Sequence, residues 1–229
     1  MRVVSLVPSV TETLLAWGIT PIAVTRFCEQ PDLPHVGGTK DPNVAAIAAL
    51  EPDLVVLCDE ENRREDADAL LAAHVPIHVM SVESVDAVAP ELERLALAVQ
   101  VTLEAPTEAG ARVDPEPRLR AFVPIWRRPW MTMNASTYGS SLLASIGIGN
   151  VFADASERYR EVTIDDARAR RPDIVLAPSE PYPFSERHRD ELEVIAPVRF
   201  VDGQDLFWWG VRTPAAHARV LHELNRGAG

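Results

Sequence analysis

One segment of this chain occurs twice, and that repeat limits the possible folds more than any other feature. Glu51-Pro52-Asp53-Leu54-Val55-Val56-Leu57-Cys58-Asp59-Glu60-Glu61-Asn62 returns as Arg171-Pro172-Asp173-Ile174-Val175-Leu176-Ala177-Pro178-Ser179-Glu180-Pro181-Tyr182. Pro52 and Pro172 stand 120 positions apart, about half of the 229 residues. Each copy is a Pro-Asp turn, a short apolar run and a polar loop with a glutamate in the same register, Glu60 and Glu180. A chain built from two copies of one unit has a seam, and ligand pockets concentrate at seams.

The runs around the repeat predict strands alternating with helices. Strands are expected over Val3 to Val7, Ile22 to Thr25, Leu54 to Leu57 and Ile77 to Val79. Between them, Ser9 or Thr11 caps a helix that stops at Gly18, Asn43 caps a short one, and Glu65 to Ala73 forms a third. Continuous β-branched runs separated by helices indicate a parallel sheet covered on both faces. Val85, Val88, Leu92, Leu95, Val99 and Leu103 then recur at helical spacing, and Thr107 to Val113 extends this as a second helix until Pro115 and Pro117 stop it. After the basic loop Arg118-Leu119-Arg120 the plan repeats. Strands are expected over Ala121 to Ile125, Ile174 to Ala177 and Val198 to Val201, and helices over Ser136 to Ser145, Thr163 to Arg170, Glu186 to Val194 and Pro214 to Asn225. The expected architecture is α/β: two Rossmann-like lobes with parallel sheets, joined by a linking helix, with a ligand cleft between the lobes. The N-terminal lobe takes residues 1-84, the helical linker 85-117 and the C-terminal lobe 118-229.

The net charge of −12 argues against nucleic acid, whose phosphates need basic patches, and leaves docking on a basic protein surface open. Lys40 is the only lysine, which reads as codon bias. No run approaches the roughly 20 apolar residues that span a bilayer, so the chain is expected not to cross a membrane. Met1-Arg2 leads straight into an apolar run with no basic region or cleavage site, so no export signal is expected on the chain as it stands. That places it in the cytoplasm, or in the periplasm or at the cell surface if a leader has been removed. Cys28 and Cys58, the only cysteines, are too few for a disulfide framework and read as two unrelated small apolar residues.

In open α/β sheets, ligands bind beyond the carboxyl ends of the strands. Four of the five tryptophans (Trp126, Trp130, Trp208 and Trp209) fall in second-half loops at such positions. Either some plug the ends of the sheet, or they form an aromatic wall suited to a flat or macrocyclic ligand. Lys40, Arg128 and Arg212 add positive charge suited to carboxylates or phosphate. Gly37-Gly38-Thr39-Lys40 lacks the spacing of a nucleotide phosphate loop, so the glycines are read as allowing a tight turn. Glu60, Glu61 and Glu180 could be acid/base groups, docking charges or solvated loop residues. With no histidine in the same loops and no nucleophile elbow, catalysis is not expected. His74 and His78 straddle Pro76 and share no helix face, so no metal site is expected.

Val4-Ser5-Leu6-Val7-Pro8-Ser9-Val10-Thr11-Glu12, Val36-Gly37-Gly38-Thr39 and the Pro52-Asp53-Leu54-Val55 stretch resemble the class III ABC-transporter substrate-binding proteins, also called helical-backbone metal receptors. That family includes vitamin B12-, ferric-siderophore- and haem-binding proteins. Asp59-Glu60-Glu61-Asn62, the stretch from Trp126 to Thr132 and the stretch from Ser179 to Phe184 look like a subgroup often labelled cobalamin-binding. The resemblance implies a non-catalytic protein that holds a cobalamin-like corrinoid or another metal chelate and delivers it to an ABC importer. The alternative is a cytosolic corrinoid- or chelate-handling protein without a permease, and an enzyme using the glutamates is the least expected. No cofactor beyond the chelate ligand is implied, and a monomer is expected. The ligand-contact candidates are Ser9, Phe27, Thr39, Lys40, Trp126, Arg128, Trp130, Tyr182, Phe207, Trp208, Trp209 and Arg212. Glu60, Glu61, Glu180 and Glu186 are the positions implied to dock on arginines of a permease.

Overall fold

The computed structural model describes residues 1–103 and 117–225. Contacts gather them into two compact units. The first holds Met1–Val82, the helix that follows from Asp86 on, and Trp209–Val211. The second holds Glu83–Val85 and the rest.

In the first unit, β1 (Val3–Ser5), β2 (Ala23–Val24), β3 (Leu54–Cys58) and β4 (Ile77–Met80) form a parallel sheet in the order β2-β1-β3-β4. Every residue of β1 and β3 is buried, as a strand covered on both faces requires. Helices α1 (Pro8–Ala16), α2 (Val44–Ala49), α3 (Arg64–Ala72) and α4 (Val85–Ala98) are its helices. Val4, Leu6, Val55, Leu57, Ile47 and Leu70 meet in its core.

In the second unit, β5 (Leu119–Phe122), β7 (Ile148–Asn150), β9 (Ile174–Pro178) and β10 (Val198–Val201) form a second parallel sheet, ordered β7-β5-β9-β10. Read in chain order this is the same topology as the first. Its helices are α5 (Tyr138–Ser145), α6 (Ile164–Ala169), α7 (Arg189–Glu193, led by a 3-10 turn at Glu186–His188), α8 (Gly203–Phe207) and α9 (Thr213–Asn225). One piece has no counterpart among the described residues of the first unit: β6 (Met131–Met133) pairs antiparallel with β8 (Tyr159–Glu161) as a two-stranded ribbon. Phe122, Val175, Leu192 and Val198 centre the second core. The α/β class and the two parallel sheets are therefore those the repeat predicts.

Local chemistry explains most boundaries. Asn43 Oδ1 accepts from the Ala46 amide at 3.0 Å, and Thr163 forms a full capping box with Asp166. Four expectations are corrected. Ser9 and Thr11 do not cap α1. Pro8 takes its first turn, where a missing N–H costs nothing, and Thr11 Oγ1 instead bonds the Ser5 hydroxyl at 2.9 Å. The helix expected through residue 103 ends at Ala98, because Gln100 turns left-handed with φ 61°. The stretch from Trp126 to Thr132 is not wholly loop, since its end enters β6. The helix expected at Glu186 begins as a 3-10 turn. The extension over Thr107 to Val113 lies outside the described residues.

Candidate functional site: the strand-end loops

In each sheet the chain leaves the first strand on one side and returns on the other. The topological switch point lies between β1 and β3 in the first unit, and between β5 and β9 in the second. Loops leaving the carboxyl ends there diverge and open a crevice.

In the first unit Asn62 sits at that point. Its Oδ1 accepts from the Cys58 amide at 2.8 Å, while Nδ2 donates to Leu6 O at 3.4 Å and Thr39 O at 2.9 Å. One buried amide thus ties together the loops that follow β1, β2 and β3. Thr39 is fixed through its carbonyl. Lys40 Nζ donates to Glu60 O at 2.7 Å, so the lone lysine also spans two of these loops. The Gly-Gly stretch makes the tight turn expected of it: Gly37 has φ +103°, and a Cβ there would lie 2.5 Å from Asp41 O. Ser9 is buried in α1, and its carbonyl accepts from Thr13 Oγ1 at 2.9 Å. Phe27 is 49% exposed, with the Arg26 guanidinium 4.8 Å over its ring and Asp41 clamping that guanidinium at 3.0 and 3.2 Å. Trp209, grouped with this unit, is only 3% exposed.

The two cysteines are both free and buried. Cys28 lies 3.1 Å from Thr25 Oγ1. Burial pushes both thiols up, Cys58 to about 12 with the nearby Glu61 charge adding to the effect. Neither is a nucleophile at neutral pH.

In the second unit the two switch-point loops meet through rings. Trp126, 44% exposed, packs edge-on against Tyr182 at 5.7 Å. Tyr182 lies 4.8 Å from Phe184, and Trp130 stacks on Phe184 at 5.9 Å with planes 5° apart. Trp130 and Tyr182 are half-buried and rest on the second core. His188 supports the group from below. It is buried, its Nδ1 accepts from the Ser185 amide at 3.1 Å, and its Nε2 lies 3.4 Å from the Tyr182 hydroxyl. Burial holds His188 below its ordinary value, with Arg187 and Arg127 nearby adding to that and Glu191 opposing. Arg127 is paired with Glu191 at 2.8 Å, while Arg128 is exposed.

The third group of candidates surrounds α8. Asp202 caps it, and its first residue must be glycine: a Cβ on Gly203 would come 2.5 Å from the Glu180 amide. Gly203 N also donates to Ser179 Oγ at 2.9 Å, which fixes the loop carrying Glu180. Phe207 is half-buried, with its ring against Gly139 on α5. Trp208 is half-buried beneath the Arg212 guanidinium, 5.0 Å from its ring. Arg212 reaches Gln204 Oε1 at 3.3 Å and Asp205 Oδ1 at 3.5 Å. Asp205, 4% exposed, takes both Arg219 nitrogens at 2.5 Å. Such partners offset the cost of burying a carboxylate this deeply.

Of the four glutamates, Glu60, Glu61 and Glu180 are half-buried in the loops that follow β3 and β9. Glu186 is exposed and clamped by Arg189 at 2.6 and 2.7 Å, which holds its carboxyl below the usual range. Within the first unit the structure brings Lys40, Thr39 and Glu60 together. Within the second it brings together Trp126, Trp130 and Tyr182, and separately Trp208 and Arg212. Sequence reasoning did not single out Asn62, Asp41, His188 or Asp205. For Asn62 a signal existed, since it closes the first repeat copy just where the second copy has Tyr182. Among the described residues no group of three or more His, Cys, Asp or Glu could hold a metal ion, and no helix is long and apolar enough to cross a membrane.

Residues 3–191 match the family described as Periplasmic binding protein, and the chain belongs to it. It is a family of substrate-binding proteins of ABC transport and is non-catalytic. The chain is 28% identical over 192 residues to a vitamin B12-binding protein of Yersinia pestis (strain Pestoides F), covering 76% of this chain and 68% of that one. A vitamin B12-binding protein of Yersinia pseudotuberculosis (serotype O:1b) matches to the same extent. Among solved structures, the periplasmic vitamin B12 binding protein BtuF of Vibrio cholerae superposes with a TM-score of 0.78 at 20% identity, over 98% of this chain and 96% of that one. The periplasmic heme-binding protein BhuT, in complex with two hemes, gives 0.77 at 18% identity over 100% and 99%. At these identities the structural likeness establishes the fold.

Proposed function

We propose that this chain binds a flat metal chelate, foremost a cobalamin-like corrinoid, and delivers it to an ABC permease. The observation that carries this reading is the pairing of aromatic surface with satisfied charge in the strand-end loops. Phe27 in the first unit, and separately Trp126, Tyr182 and Trp208 in the second, offer rings to a broad apolar ligand. The nearby cations are largely committed: Arg26 to Asp41, Arg127 to Glu191, Arg212 to Asp205, and Lys40 to the Glu60 carbonyl. A macrocycle rimmed with carboxylates needs uncommitted cations. A corrinoid rimmed with uncharged amides does not, and Arg128 suffices for the single phosphate of a nucleotide-tailed one. The curated relatives that bind vitamin B12 support the same choice. Ser9 and Trp209 are buried and Thr39, Trp130 and Phe207 half-buried, so they take a smaller share of the proposed ligand contact, and Glu60, Glu61, Glu180 and Glu186 are the proposed permease-facing charges.

Tryptophan fluorescence during titration with cyanocobalamin, cobinamide, haem and a ferric siderophore tests this. Quenching by the two corrinoids at lower concentration than by haem is expected. Tighter binding of haem would overturn the corrinoid choice, and no quenching by any of the four would overturn the chelate reading.

A further inference from the structure

Phe27 and Trp208 are built alike, although they belong to different units and to loops of unrelated sequence. Each lies under an arginine, Arg26 at 4.8 Å and Arg212 at 5.0 Å from the ring centroid. Each arginine has its charge met by an aspartate from a neighbouring stretch of chain. Asp41 holds Arg26 through both oxygens, at 3.0 and 3.2 Å. Asp205 lies 3.5 Å from Arg212 and is itself anchored by Arg219. The two pairs differ in strength: Arg26 meets both Asp41 oxygens, while Arg212 has one 3.5 Å contact to an Asp205 whose oxygens are both held by Arg219 at 2.5 Å. A guanidinium without such a partner would present its donor edge to ligand carboxylates, which it binds in a bidentate fork.

We propose that Asp41 is a specificity-determining residue: by occupying Arg26 beside the Phe27 ring, it turns away chelates with a carboxylate rim and admits those with an amide rim. Asp41 need not touch the ligand. Asp41 lies on the surface, with 62% of its side chain exposed, and Asp205 lies beneath, with 5%. The inference rests on the ligand-contact reading given above.

The test uses the full chain and two ligands with one ring system, dicyanocobinamide (amide rim) and dicyanocobyrinic acid (carboxylate rim). The unaltered chain should prefer the amide form. Asp41→Asn, a surface change, should leave the melting temperature nearly unchanged. It should narrow the preference roughly tenfold by tightening the carboxylate form, the worth of one charge-assisted hydrogen bond. That gain should shrink at high salt. An unchanged preference in Asp41→Asn overturns the inference, as does an equal loss of both ligands, which would mark a merely structural role. If the unaltered chain binds neither corrinoid, the ligand reading itself has failed and this inference falls with it.

Discussion

The backbone amide of Arg120 donates to the Asp173 carboxylate at 2.8 Å, and the bond repeats one that Arg2 makes with Asp53 at 2.6 Å. The correspondence goes further. Arg2 reaches the carbonyls of Leu50 and Glu51, and Arg120 those of Arg170 and Arg171. Asp53 and Asp173 each return a backbone bond at 2.8 Å to the carbonyl of the same arginine. Glu51 and Arg171 both stand left-handed, at φ 46° and 51°. The Pro-Asp repeat is thus a clip that sets the register of the third strand against the first in each sheet.

Removing either clip carboxylate should cost about 1 kcal/mol, the net worth of an exposed hydrogen bond, and lower the melting temperature by about 2–4 °C. Asp53→Ala and Asp173→Ala lie in separate units, so their effects should add. Conversely, Glu51→Gly and Arg171→Gly relieve left-handed strain and should each raise stability by up to about 1 kcal/mol. Thermal melts of the four single variants and the double alanine variant check this.

Trp126 and Trp130 should separate cleanly. Trp130 stacks on Phe184 over the second core, so Trp130→Ala should destabilise by about 2 kcal/mol, part of the usual cost of losing a buried ring. Trp126 is 44% exposed and lies outside the core, so Trp126→Ala should change the melt less than Trp130→Ala does while weakening corrinoid binding by about 1–3 kcal/mol. Titration and melting of the same two proteins give both numbers.

Asn62→Ala should be costly out of proportion to its size. It leaves the Cys58 amide and the Leu6 and Thr39 carbonyls without their partner, at about 2–3 kcal/mol. It should also raise hydrogen exchange in the loops after β1, β2 and β3 together, because one side chain ties all three. Exchange confined to one loop would contradict this.

Acid should loosen the aromatic group of the second unit. Burial depresses His188 in the folded chain, so the unfolded chain binds its proton more readily. The stability linked to the neutral ring is then fully present above about pH 6.5. It is lost as pH falls from there through the depressed folded-state value, where a proton on Nδ1 would also break the bond from the Ser185 amide. His217 and His78 shift the same way, so some slope will remain in any single variant. Melting temperatures between pH 8 and 5 should fall less steeply for His188→Gln than for the unaltered chain.

Replacing Glu60 and Glu180 together with alanine should leave corrinoid affinity unchanged and reduce uptake through a permease reconstituted with this chain. A fall in affinity would instead place those carboxylates against the ligand.

The fold was legible because its determinants are local and repeated: buried β-branched runs, Asn43 and Thr163 as caps, and the Pro-Asp clip. The β6–β8 ribbon was not. Its strands are short, and the residues of β8 (Tyr159–Glu161) are all exposed, so no apolar alternation marks them. At the site, the exposed aromatics could be listed from the sequence because rings in loops are conspicuous. Their supports could not. Asp41 reaches Arg26 across 15 positions and Asn62 reaches Leu6 across 56, and such contacts leave no periodic trace.

The ribbon has a consequence for how such a chain can change. It is held to the second unit by backbone bonds beside Trp126 and Trp130 and by two side chains, Thr132 Oγ1 to Val123 O and Asn150 Nδ2 of β7 to Met133 O, both at 2.8 Å, and no strand of the main sheet pairs with it. Of its two strands only β8 is exposed, while Thr132 and Met133 of β6 are buried, so change is confined to the outer strand. The second unit therefore carries a variable outer strand on a fixed frame.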